Sequence, residues 1–87
     1  MVQALGDSEW DVRAEACVAA GRIGSPSFAE PLACALSDRE WWVRFRAAEA
    51  LSAMGVLGRE TLMIAAASPV DVTRRSASLA LAELGLA

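Results

Sequence analysis

The chain reads as an all-α solenoid of about three helix pairs, and three observations predict it. The segment GDSEWDVRAEACVAAGRIG, from Gly6 to Gly24, returns as SDREWWVRFRAAEALSAMG, from Ser37 to Gly55, thirty-one positions later. A fainter third copy carries Arg44, Ala47, Ala50, Leu51 and Gly55 onto Arg74, Ala77, Ala80, Leu81 and Gly85 at a spacing of thirty. The composition is rich in alanine and leucine, with no tyrosine and two phenylalanines, and favours helix over strand. Self-similarity at this period marks a fold in which each unit buries its apolar face against the next. The 87 residues make one small domain, with repeats at approximately 1–24, 25–55 and 56–87.

Within each repeat the punctuation predicts a first helix, A, and a second helix, B. In the first copy Met1 aligns with Leu32, so helix A opens a turn and a half short. Asp7 stands where an N-cap belongs, its carboxylate facing the free amides at the positive end of helix B, and Gly24 ends that helix. In the middle copy Pro26 and Ser27 open helix A, whose Phe28, Leu32, Ala35 and Leu36 recur at helical spacing. Asp38 caps helix B, the inward stripe is Val43, Ala47, Ala50, Leu51 and Met54, and Gly55 supplies a left-handed turn. In the third copy Ser68 replaces the aspartate, Pro69 takes the first helical position, and Gly85 closes the helix. Alanines at 16, 47 and 77 and at 19, 50 and 80 keep the inward stripe thin, so that neighbouring helices approach closely. The layers between them are filled by Leu32, Leu36, Val43, Leu51, Met54, Leu62, Leu81 and Leu84. Each of these larger side chains contributes about 1.5–3 kcal/mol if fully buried.

Charge and side-chain inventory exclude several classes of function. Every basic residue is arginine and the formal charge is −3, with a pI near 4.8. There is no broad cationic field to hold a phosphate backbone, which counts against nucleic acid as a partner. No apolar stretch is long enough to span a bilayer, and no charged segment leads into an apolar core and cleavage site. Cys17 and Cys34 occupy different places in successive repeats, and no histidine accompanies them to form a metal site. Reduced thiols in a cytoplasmic setting are the simplest reading, with a disulfide as the alternative. Cys17 reads as a small core residue and Cys34 as solvent-facing. Without a histidine base, a glycine-rich phosphate cradle or an activated thiol, the sequence predicts neither enzyme activity nor a cofactor.

The motif D-x-E-W-x-V-R, followed by A-x-x-A and a closing glycine, resembles the HEAT repeat. It is most similar to the short form found in phycobilin lyases and in bacterial scaffold proteins. The resemblance covers nearly the whole chain; the third copy departs from it at Ser68, Pro69, Val70 and Thr73. It implies antiparallel helix pairs, with the A helices convex and the B helices concave, and a scaffolding role in protein contacts within a cytoplasmic bacterial setting.

The candidate sites follow from comparing the copies. Arg13, Arg44 and Arg74 hold one repeat position, and Asp7 and Asp38 another. They form a ladder expected to tie layers together, with an anion-binding ladder as the alternative reading. Trp10 and Trp41 are matched and read as packing of the ridge between helices. Trp42 breaks the repeat, its counterparts being Asp11 and Val72. On a helical projection Trp42, Phe45, Arg46 and Glu49 fall away from the inward stripe, and the equivalent positions in the other copies bring Val18, Leu79, Glu15 and Arg75 beside them. An apolar centre with a charged rim is how a protein-binding patch is composed; the other reading folds Trp42 and Phe45 flat over neighbouring alanines.

Three functions are therefore expected, in order. The first is binding of a protein segment on the concave B-helix face. The second is self-stacking or oligomerisation through the ends, at Val2, Ala4 and Leu5 on one side and Leu79, Leu81, Leu84 and Leu86 on the other, the chain being a fragment of a longer solenoid or a unit that pairs through an end. The third is an accessory part of a bilin lyase-like modifying enzyme.

Overall fold

The computed structural model describes residues 2–85, with side chains from residue 4 onward. Met1 and Leu86, and the side chain of Val2, lie outside what is described. The described chain consists of six α-helices: α1 (Val2–Leu5), α2 (Trp10–Ile23), α3 (Ala29–Ala35), α4 (Trp41–Ser52), α5 (Gly55–Ala66) and α6 (Asp71–Glu83). A 3-10 turn, Pro26–Phe28, leads directly into α3. Helices α1, α3 and α5 neighbour one another in one layer and α2, α4 and α6 in the other, as three successive helix pairs. Gly24, Gly55 and Gly85 take φ of 69°, 67° and 77°, which is where the sequence placed the chain reversals.

The core is the thin stripe that the repeats predict. Leu32, Leu36, Val43, Leu51 and Leu62 are fully buried, together with the alanines at 16, 47, 50, 77 and 80. Three of the expected core residues differ: Ala19 is only partly buried, since Ala20 turns inward in its place. Met54 is only partly buried at the edge of the cluster, and Leu84, at the C-cap of α6, is 40% exposed because packing covers it on one side alone.

The expected caps sit two residues upstream of the residues that occupy the N-cap positions. The N-cap residues are Glu9, Glu40 and Val70. Asp7 and Asp38 instead accept the amide hydrogens of Glu9 and Glu40, each at 2.9 Å. The Ser68 hydroxyl accepts that of Val70 at 3.1 Å, and Pro69 stands before the N-cap, not at the first helical position. These side chains therefore shape the entry loop instead of capping the helix, because a carboxylate two residues back closes an Asx-type turn.

The loop geometry frees the second oxygen of Asp38 for a longer reach. The Arg13 guanidinium donates from Nε and Nη2 to the Asp38 carboxylate at 2.7 and 3.1 Å. Its Nη1 donates to the carbonyls of Asp7 and Ser8 at 2.7 and 3.1 Å. The Arg13 side chain is only 6% exposed and that of Asp38 12%, so the pair ties the first repeat to the second in a dry setting. Desolvation pushes the Asp38 carboxyl upward, but the hydrogen bonds from Arg13 and the Glu40 amide, with the guanidinium charges nearby, hold it below the usual aspartate range.

Just beyond this bridge, α2 and α4 come into close contact. A Cβ on Gly21 would lie 2.8 Å from the Cβ of Ala50 and 2.9 Å from its Cα, so only glycine permits the approach.

Two predictions follow from this seam. Asp38 is held below its unfolded pKa of about 3.9, so its contribution is complete above that value and is lost as pH falls through the folded one. Asp38→Asn should lower stability at pH 7 by about 3 kcal/mol, since it strands a buried guanidinium. Its urea-unfolding free energy should also fall less steeply than the wild type's below about pH 5; equal acid slopes would contradict the assignment. Gly21→Ala gains helix propensity yet should lose about 1 kcal/mol net, because the helices must part to admit the methyl group; a raised Tm would show the contact to be looser than described.

Candidate functional site

The middle repeat alone carries three aromatic residues at the start of its B helix. Trp41, Trp42 and Phe45 occupy adjacent and i, i+4 positions of α4, so their rings meet over one turn. Ring centroids lie 5.7 Å apart for Trp41 and Trp42, 5.3 Å for Trp41 and Phe45, and 5.4 Å for Trp42 and Phe45. The Arg46 guanidinium sits 4.3 Å from the Trp42 ring centroid and pairs with Glu49 at 2.6 Å. A cation over an indole face, itself held by a carboxylate, fixes these side chains in one arrangement. Trp41 is 57% exposed and Trp42 38%.

This arrangement makes α4 a ridge with a groove on either side. Toward α2, Glu15 and Val18 face Arg46 and Glu49 across a space of about 490 Å³. Toward α6, Trp41, Arg44 and Phe45 face Ser76, Leu79 and Leu84 across about 270 Å³. The expected site residues are thus divided. Val18 belongs to the first groove, Leu79 and Phe45 to the second, and Glu49 borders both, while Trp42 stands on the ridge and lines neither. Arg75 also lies outside both grooves; it is 78% exposed and bonded to Asp71 at 3.0 Å.

Of the ladder residues, Arg13, Asp7 and Asp38 form the bridge described above. Arg44 Nη1 donates to the Asp38 carbonyl at 2.7 Å, and Arg74 Nη1 to the Ser68 carbonyl at 3.3 Å. Arg74 is also paired with Asp71 in its own helix. The ladder therefore joins the first two repeats by a carboxylate, whereas the corresponding place in the third repeat is held by Ser68.

The sequence reading missed two features. Trp41 was expected to pack the ridge because it matches Trp10, but both are exposed and Trp41 stacks on Phe45. Its i, i+4 relation to Phe45 was the available signal. The other layer also presents apolar surface: Val56, Met63 and Ile64 share the outer stripe of α5 with Glu60 and are 61%, 60% and 77% exposed. Between α3 and α5 a shallow trough of about 720 Å³ runs past Ala33, Cys34, Ile64 and Val70. No outward pattern announced it, because α5 is apolar on both faces.

Little in the site suits covalent or metal chemistry. Among the described residues no group of three or more Cys, Asp or Glu converges as a metal site. Burial pushes the Cys17 thiol up to about 11, and it lies within the core. Cys34 is a free thiol on the exposed side of α3. No helix among the described residues is long and apolar enough to cross a membrane.

A search of curated proteins finds no match to this sequence. A family model described as HEAT repeats matches residues 1–82. With its three stacked helix pairs and a family match over nearly its full length, the chain belongs to the HEAT-repeat family.

Proposed function

We propose that this chain is a non-catalytic interaction module that binds a segment of another protein on its concave side, the solvent-facing surface of α2, α4 and α6. HEAT repeats generally serve as scaffolds for protein–protein contacts, and the reading gives that role a place. The observation that carries it is the solvent-facing cluster of Trp41, Trp42 and Phe45 with Arg46 clamped above it. Aromatic residues and arginine dominate binding energy at protein interfaces, where they sit at a centre ringed by weaker contacts. The stack needs neither Trp42 nor Phe45, since the first and third repeats have Asp11 and Val72 at the position of Trp42, and Ala14 and Arg75 at that of Phe45. Trp42, Phe45, Arg46 and Glu49 form the centre, Val18 and Leu79 the flanks, and Arg75 the periphery. An exposed thiol at Cys34 fits a reducing compartment such as the cytoplasm.

A second reading is self-association. It is favoured by the outer stripe of α5, where Val56, Met63 and Ile64 place apolar surface on the opposite layer.

The Trp42→Ala, Phe45→Ala double variant should keep wild-type helicity and lose its partner. Affinity capture from the source organism, read by quantitative mass spectrometry, should show at least about a thirtyfold loss of the bound protein, the scale of a hot-spot truncation above 2 kcal/mol. Undiminished capture by the folded double variant, with a molar mass that rises with concentration, would shift the contact to α5 and to a second copy of the chain.

A further inference from the structure

We propose that the groove between α4 and α6 seats an acidic side chain of the partner, whose carboxylate takes on Arg44 the place that Asp38 takes on Arg13. This inference rests on the reading that the α2–α4–α6 face binds a protein segment.

Three observations carry it. The first is a guanidinium held ready. In each repeat the arginine donates Nη1 to the carbonyl six residues before it, at Asp7, Asp38 and Ser68. That bond fixes the plane of the fork. In Arg13 the remaining edge, Nε and Nη2, is filled by Asp38 in a bidentate pair. In Arg44 the same edge makes no hydrogen bond among the described residues. The reason lies in the sequence: the residue one repeat beyond Asp38 is Ser68, whose hydroxyl is taken up by the Val70 amide. Arg44 thus keeps the geometry of a carboxylate receptor without its carboxylate.

The second observation is that the seam beneath this groove is the looser of the two. Helices α2 and α4 close on each other through Gly21 against Ala50. One repeat later the glycine position is Ser52 and the alanine is Ala80, and both line the groove. Helices α4 and α6 pack together less closely than α2 and α4. Two replacements along one seam, Gly21 by Ser52 and Asp38 by Ser68, remove both contacts that draw α2 and α4 together in the first two repeats, where a groove of about 490 Å³ nonetheless lies over the seam.

The third is the composition of the opening. Trp41 and Phe45 wall one side and Leu79 the other, with Arg44 half-buried at one end. At about 270 Å³ the groove falls just short of the ~300 Å³ at which small-molecule pockets begin, and suits side chains of a peptide. Of the two carboxylates on its rim, Glu49 is neutralised by Arg46. Glu83 stands nine residues along α6 from Arg74, the repeat equivalent of Arg44, so an incoming acid is directed to the Arg44 end. The partner segment that fits is one Asp or Glu with apolar neighbours.

The test uses a random dodecapeptide library displayed on phage, selected on the whole chain and counter-selected on the Trp42→Ala, Phe45→Ala variant. Synthetic copies of the recovered peptides are then measured by fluorescence polarisation. They should carry an acidic residue beside apolar ones, and exchange of that residue for its amide should weaken binding at least tenfold. Because Arg44 variants disturb the stack, the decisive protein variant is Ser68→Asp, which supplies the carboxylate from within. It should raise Tm by about 4 °C or more and bind the acidic peptide no better than its amide. Peptides without an acid, equal binding of acid and amide by the wild type, or a Ser68→Asp variant with unchanged Tm and unchanged preference would each overturn the Arg44 seat while leaving the binding face intact. A library that yields nothing dependent on Trp42 and Phe45 would remove both.

Discussion

A single guanidinium, that of Arg13, joins the entry loops of two successive repeats, and the spacing of the helices follows from it. A buried arginine is tolerated only when its donors are occupied. Here Nε and Nη2 engage Asp38 and Nη1 engages the carbonyls of Asp7 and Ser8, so one side chain satisfies both loops and aligns them. With the loops in register, α2 and α4 run side by side close enough for Gly21 to touch Ala50. The core can then be built from alanines with a few leucines between them, which is how so small a chain reaches close packing without large aromatic residues inside.

The same constraint explains why the aromatic residues are outside. A core this thin has no room for an indole, and all three tryptophans are exposed to a substantial degree. Two of them gather with Phe45 on the one helix that is flanked on both sides by others of its layer. The tightly packed seam toward α2 gives that helix a fixed base, and a groove lies on either side of it, the one toward α6 above a looser seam. Rigid support beside an unfilled space is the arrangement that a binding surface needs.

How much of this was legible from the sequence depended on whether a feature belonged to the repeat. The helix pairs, the buried Leu32, Leu36, Val43, Leu51 and Leu62, and the glycine reversals all followed from period and punctuation. Asp7 and Asp38 were recognised as loop-to-helix residues but placed as caps, because the Asx turn that sets them two residues earlier is a matter of local dihedral angles. Trp41 was misjudged because matching Trp10 establishes a common position, and burial depends on what stands opposite. Gly21 carried no signal in the repeat pattern, because its role depends on Ala50 standing against it. The outer stripe of α5 was hidden for a different reason: with Val56, Met63 and Ile64 on one side and Leu62 on the other, no projection distinguishes inside from outside. The free edge of Arg44 required both kinds of knowledge, the repeat to identify Ser68 in place of an aspartate and the structure to show that Nε and Nη2 have no partner among the described residues.

Native-state hydrogen exchange, resolved by helix, tests the central claim that the first seam is tightly packed and the second loosely. The account predicts that amides of α2 and α4 exchange together as the most protected unit, and that α6 opens separately at a lower free energy. A uniform protection level across α2, α4 and α6, or an α6 more protected than α2, would contradict it.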